Sequence, residues 1–179
     1  EKNKHCYVNS NDQASISFIE ISISNYNGLE DEKNQGGTAI HLINYGIICN
    51  KSKFTSCITE AAADWGVNIY LSEIINNPIS FYDVTFSKCS AIYGGAVYIH
   101  SSVDNDITFT LCNFIENKAN KKSEDAGKNL YGGAALFLQV TGSEINKCTF
   151  TKNIGSGVKI NNKFENNLKT IKELDSLIS

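Results

Sequence analysis

Apolar side chains along residues 16–160 recur at every second position in short bursts, each broken by glycine or a polar cluster. One set of bursts follows a glycine: Gly37-Thr-Ala-Ile-His-Leu, Gly66-Val-Asn-Ile-Tyr-Leu, Gly95-Ala-Val-Tyr-Ile-His, Gly133-Ala-Ala-Leu-Phe-Leu and Gly157-Val-Lys-Ile. A second set is marked by an aromatic residue followed three positions later by Cys or Asn. It reads Phe54 with Cys57, Phe86 with Cys89, Phe114 with Asn117 and Phe150 with Asn153, with Ile23 and Tyr26 as a degenerate first copy. The two series alternate strictly. Within the second set the positions five before, two before and at the landmark are Phe18/Cys49/Phe81/Phe109/Ile145, Ile21/Ser52/Val84/Cys112/Cys148 and Ile23/Phe54/Phe86/Phe114/Phe150. The residue just ahead of each landmark (Ser22, Lys53, Thr85, Asn113, Thr149) is polar. Alternation at period two predicts strands with one buried face.

A repeat of roughly 25–30 residues that carries only strand signals cannot bury its own face, so copies must stack on one another. Helical solenoids need a 3.6-residue period that these segments lack, and a propeller blade needs about 40 residues. The expected fold is therefore all-β: a right-handed parallel β-helix of about five coils over residues 16–160, after an N-terminal lead-in at 1–15. In 161–179 the pattern changes. Leu168, Ile171, Leu174, Leu177 and Ile178 recur at helical spacing, which predicts a short amphipathic helix near 166–178, acting as a cap or as a linker to a next module.

The paired motifs GGTA, GGAV and GGAA with FIEN and FTKN, and the variants FTSC and FSKC, resemble the GGA[I/L/V] and FxxN repeats of the chlamydial polymorphic outer-membrane protein family. Similar repeats occur in surface proteins of some protists. The likeness covers residues 36–157, and 16–35 in degenerate form. It implies a surface-exposed or secreted β-helical stalk associated with adhesion, and it implies no enzyme. The chain departs from the family pattern where Cys57 and Cys89 stand for Asn, and in carrying no membrane-anchoring barrel.

Stacking assigns roles to columns. Phe54, Phe86, Phe114 and Phe150 are expected to lie over one another as a core stack. Asn117 and Asn153 are expected to be turn residues forming a short hydrogen-bonded ladder. Cys57 with Cys89, and Cys112 with Cys148, fall at equivalent positions on adjacent coils, about 4.8 Å apart, which is inside disulfide reach. Cys6 and Cys49 remain and would pair by exclusion. At least one disulfide is expected; the alternative is that these cysteines are reduced, buried, small hydrophobes. The column His41, Tyr70, Ile99 and Phe137 is expected to point outward, either as a partner-facing ribbon or under covering loops, with His100 inward. Long surface spacers are expected at 27–35, 58–65 and 118–131, and Asn50-Lys-Ser is a glycosylation sequon.

Composition narrows the function classes. The 179 residues are 41% apolar and 20% charged, with net charge −3 and no charge block, so nothing predicts attraction to nucleic acid or anionic lipid. No apolar run is long enough to predict a membrane span. Methionine is absent, as expected for a piece processed or excised from a longer chain. Arginine is absent too, so no planar fork is available for phosphate or carboxylate. Acid–base cleavage of glycosides needs two facing carboxylates, whereas Glu20, Asp83 and Glu116 fall in different columns or on separated coils. Asp104 and Asp106 share a loop without a calcium-binding pattern, and no cysteine–histidine spacing suggests a metal or other cofactor. The expected function is a non-catalytic, extracellular or cell-surface scaffold or adhesion module. Its partner is a protein or glycan, with end-to-end self-association or further modules of the parent chain. The alternative is a carbohydrate-active enzyme or lectin-like binder.

Overall fold

The computed structural model describes residues 6–28, 39–59, 69–72, 77–91, 95–119, 136–154, 158–160 and 171–172. Among these residues every regular element is a strand and every strand pairing is parallel. Each repeat contributes to three sheets in turn. Sheet A contains β1 (Cys6–Ile19), β4 (Ile40–Asn50), β7 (Ile69–Ser72) with β8 (Ile79–Tyr82), β11 (Val97–Thr110), β14 (Leu136–Asn146), β16 (Val158–Ile160) and β17 (Ile171–Lys172). Sheet B contains the three-residue strands β2 (Ser22–Ser24), β5 (Lys53–Thr55), β9 (Thr85–Ser87), β12 (Asn113–Ile115) and β15 (Thr149–Thr151). Sheet C contains the two-residue strands β3 (Asn27–Gly28), β6 (Ile58–Thr59), β10 (Ser90–Ala91) and β13 (Lys118–Ala119), extended by a bridge from Lys118 to Ile154. Pairing begins at Cys6, so residues 6–15 are already strand, and sheet C occupies the first residues of each expected spacer.

Every landmark position pairs with its equivalent one repeat away: Ile23 with Phe54, Phe54 with Phe86, Phe86 with Phe114 and Phe114 with Phe150. Their rings stack face to face, with centroids 5.1, 5.1 and 4.9 Å apart and planes within 10°, 11° and 4° for the three Phe–Phe steps. A second stack from sheet A, Phe81 on Phe109, has centroids 4.6 Å apart. It meets the first edge-on, at 6.3 Å for Phe81–Phe86 and 6.2 Å for Phe109–Phe114. Offset-stacked and edge-to-face pairs are the two arrangements that the ring quadrupole favours, each worth roughly 0.5–1.5 kcal/mol beyond area burial. Phe54, Phe81, Phe86, Phe109 and Phe114 are fully buried.

The register of sheet A corrects two expectations. Ile40, Ile69, Val97, Leu136 and Val158 form one column, and Leu42, Leu71, Ile99, Leu138 and Ile160 another. Counting back three residues from each member of the first column reaches Gly37, Gly66, Gly94, Gly133 and Gly155. The doublet Gly94-Gly95 allows two alignments, and only the one through Gly94 keeps Val97 and Ile99 inside. Ile99 is accordingly buried with Leu71, not outward, and His100 is exposed, not inward. The helix that periodicity predicts over 166–178 is not formed at its centre: Ile171 and Lys172 are strand residues paired with Ile145 and Asn146. The open backbone row of β14 offers hydrogen bonds that a two-residue strand can take, overriding a 3.6-residue pattern. Leu168, Leu174, Leu177 and Ile178 lie outside the described residues.

Sheet A bends where Asn44 adopts φ 58°. At this bend the Ile47 N–H donates to the Pro78 carbonyl at 2.9 Å, and the Asn77 side-chain amide donates to the Asn44 carbonyl at 3.2 Å. Gly46 is buried in the contact; a Cβ there would collide with the Pro78 carbonyl oxygen. The single proline of the chain thus sits against a glycine that cannot be enlarged.

Candidate interaction surface

Two corners flank sheet B in every repeat, five residues apart. The first is occupied by Glu20, Lys51, Asp83, Leu111 and Lys147, the second by Asn25, Ser56, Lys88, Glu116 and Lys152. All ten have φ between 48° and 56°. The corner N–H groups of the first four repeats donate forward to the next repeat, as Lys88 does to Ile115 at 2.8 Å and Glu116 to Thr151 at 2.9 Å. The residue after each corner then points its own N–H along the stack on the inside, away from water, and needs an acceptor there.

That need explains the two inner polar columns. Asn117 accepts the Cys89 N–H at 3.0 Å and donates to the Phe86 carbonyl at 3.1 Å. Asn153 repeats the pattern one step on, accepting the Asn117 N–H at 2.9 Å and donating to the Phe114 carbonyl at 2.9 Å. The two amides also bond to each other at 3.1 Å, so the expected ladder is present. In FxxN the Phe fills the stack, the second x turns the corner, and the Asn caps the repeat before it. Cysteine and serine do the same work elsewhere. Ser52 Oγ accepts the Ile21 N–H at 3.3 Å, and Cys148 Sγ accepts the Cys112 N–H at 3.4 Å and donates to the Phe109 carbonyl at 3.4 Å. Cys89 Sγ reaches the Phe54 carbonyl at 3.8 Å, a long version of the Asn117 contact.

All six cysteines are free thiols: Cys6 is exposed, and Cys49, Cys57, Cys89, Cys112 and Cys148 are buried. The expected disulfides Cys57–Cys89, Cys112–Cys148 and Cys6–Cys49 are therefore not made. Column equivalence puts the Cα atoms in range, but the thiols of Cys57, Cys89, Cys112 and Cys148 donate to backbone carbonyls of their own repeat or the preceding one, and Cys6 pairs with Ile40 at the far end of β4 from Cys49. Burial pushes the Cys49 thiol up to about 11, partly offset by a hydrogen bond with Ser52. Cys57 is raised by its hydrogen bond with Cys89 and by burial. Cys112 is raised by its hydrogen bond with Cys148 and by burial; Cys148, accepting from the Cys112 thiol and N–H, is held lower.

The expected outward ribbon is composed differently from what the sequence suggests. His41 and Tyr70 share a column, but it continues through Tyr98 to Phe137, not through Ile99. His41, Tyr70 and Tyr98 are buried at 5%, 9% and 3% exposure, with ring centroids 4.5 and 5.4 Å apart. This is a second aromatic layer. The carboxylates do not converge: Glu20 and Asp83 lie on the first corner with Lys51 between them, and Glu116 lies on the second. Among the described residues no three His, Cys, Asp or Glu side chains could hold a metal ion together. Asn50 ends β4 half-buried, and the Ser52 hydroxyl of its sequon is buried and donates to the Asn50 carbonyl at 2.8 Å.

The feature that sequence columns missed runs along the second corner and sheet C. Ile58, Lys88, Cys89, Ser90, Glu116, Lys118, Lys152 and Ile154 line a shallow groove of about 600 Å³. One lysine stands on each of three successive repeats (Lys88, Lys118, Lys152), facing one carboxylate, Glu116, whose Oε2 is 4.0 Å from Lys88 Nζ. Ile58 and Ile154, 41% and 59% exposed, stand at its two ends. The described lining carries three positive charges and one negative, against −3 for the whole chain, so it attracts anions on an otherwise acidic molecule. Searches against protein-family models, curated proteins and solved structures find no match to this chain.

Proposed function

We propose that the chain is a right-handed parallel β-helix of about five coils that serves as a non-catalytic, extracellular or cell-surface scaffold or adhesion module. The observation that carries this reading is the side-by-side register of five repeats, Ile23, Phe54, Phe86, Phe114 and Phe150, with rings parallel to within 4–11°. Such a wall has little freedom to flex, so outward side chains on successive coils are held about 4.8 Å apart along the axis. Rigid display of this kind lowers the entropy cost of binding a repeating or extended partner. The GGA-type and FxxN motifs add the resemblance to surface-exposed adhesive stalks.

The test is adhesion of chain-coated beads to cell layers, run beside incubation of the chain with a polysaccharide panel. Adhesion without new reducing ends or unsaturated products supports the scaffold reading; catalytic turnover of any polysaccharide overturns it. The second reading, a carbohydrate-active or lectin-like β-helix, is favoured by the lysine-lined groove. Glycan binding without turnover keeps the scaffold reading and adds a lectin role to it.

A further inference from the structure

We infer that the groove along the second corner is a binding site for a linear glycan bearing one carboxylate per disaccharide. The inference rests on the stacked-coil reading proposed above and deepens it by naming a ligand class. Lys88 and Lys152 occupy the same corner column two repeats apart, tied in register by the Lys88–Ile115 and Glu116–Thr151 backbone bonds. Two steps of about 4.8 Å separate them by roughly 9.6 Å along the axis, which is comparable to one extended disaccharide. Lys118 stands on the repeat between, one column over. A chain laid along the groove would place successive carboxylates at Lys88 and Lys152, with Lys118 beside the intervening sugar.

The choice of ligand follows from side-chain chemistry. Lysine is a compact point charge, suited to single, separated carboxylates, whereas phosphate recognition favours the fork of arginine, which this chain lacks. Among the described residues no aromatic side chain lines the groove for base stacking. The groove is shallow, it is polar at Ser90, and among the described residues its large apolar side chains are Ile58 and Ile154 at the ends, so it offers no deep anchor pocket for a peptide. Glu116 acts against the ligand. It neutralises Lys88 across an exposed 4.0 Å pair that contributes little to stability. An incoming carboxylate would take over Lys88 and leave Glu116 as the repulsive group among the described lining, which makes Glu116 a specificity element against densely charged polyanions.

The experiment measures binding of the intact chain to a hyaluronan dodecasaccharide at low and physiological salt, beside the same oligosaccharide with its carboxyls reduced to alcohols. Hyaluronan should bind, weaken steeply with salt as exposed charges are screened, and lose binding on carboxyl reduction. Lys118→Gln and Lys152→Gln should each weaken binding about threefold, and the double variant about tenfold, the size expected for exposed ion pairs. Glu116→Gln should tighten it by a similar factor, while Lys51→Gln and Lys147→Gln, on the first corner, should leave it unchanged. Unaltered denaturation midpoints for these surface variants exclude misfolding. Equal binding of the reduced glycan, indifference to Lys118 and Lys152, equal loss from the first-corner lysines, or tighter binding of polyglutamate or single-stranded DNA would each overturn the assignment. Adhesion that persists in the Lys118/Lys152 double variant would remove the groove's role and leave the scaffold reading standing.

Discussion

Replacing Asn117 by alanine tests the capping argument most directly. The side chain has no solvent exposure, and its removal deletes three bonds: from Cys89 N–H, to the Phe86 carbonyl and to Asn153 Oδ1. The Asn117 N–H keeps its bond to Asn153 and the Phe86 carbonyl keeps its place in the β9–β12 ladder, so the one buried group left orphaned is the Cys89 N–H. At about 1–3 kcal/mol for the unsatisfied buried N–H and about 0.5–1.5 for the lost bond to the carbonyl, the expected loss is about 2–4 kcal/mol, a sizeable part of a typical domain's 5–15. Equilibrium denaturation measures it, and hydrogen exchange at the Cys89 amide locates it. Asn117→Asp supplies the sign test. It keeps one acceptor but turns the donor into a second acceptor facing Phe86 O and Asn153 Oδ1, so its buried carboxyl titrates above the ordinary value near 3.9. Its stability deficit should be small when the carboxyl is protonated and should grow as pH rises from about 4. A loss under about 1 kcal/mol for Asn117→Ala, or unchanged protection at Cys89, would refute the claim that the column exists to cap inward N–H groups.

Other expectations follow from the same geometry. Cys89→Asn should raise stability by about 1 kcal/mol in denaturant titration, because an amide replaces a 3.8 Å thiol contact in a slot that already accepts Asn one repeat later. With labelling reagent under native conditions only Cys6 should react promptly, the five buried thiols waiting for unfolding, and reductant should leave Tm unchanged. Gly46→Ala should cost about 2–3 kcal/mol, read as a lowered denaturation midpoint, since the added methyl meets backbone rather than a movable side chain. The Cys49 proton leaves the unfolded chain near pH 9.0 and the folded chain near 11, so the unfolded state binds fewer protons in that window and stability falls as pH rises through it. The fall is about 2–3 kcal/mol for this one thiol, and Cys49→Val should remove that share of the slope in denaturation curves taken from pH 8 to 11.

Much of the wall was legible in the sequence because its signals are local and periodic. Phe54, Phe86, Phe114 and Phe150 stand out through fixed offsets to their polar neighbours, and the structure stacks them ring on ring. Asn117 and Asn153 were legible for the same reason, since a turn needs a residue whose amide can serve the backbone. Errors arose where a choice depended on contacts between repeats. Gly94 and Gly95 are equivalent in sequence, and only burial of Val97 and Ile99 against Ile69 and Leu71 selects between them. The one-residue slip exchanged Ile99 for Tyr98 in the His41 column, because side chains alternate faces at period two.

The sequence alone determined that the repeats are strands, that they must stack, and which aromatic column fills the interior, since period-two burial leaves no other solution for segments this short. Only tertiary structure decided the state of the cysteines. Column membership sets the distance between Cα atoms, but inward N–H and C=O groups left by the corners decide what each sulfur touches. It likewise turned Ile171 and Lys172 into strand, by offering a paired backbone row beside Ile145. It also gathered Lys118 into one groove with Lys88 and Lys152, because the side chains of sheet C stand beside those of the second corner.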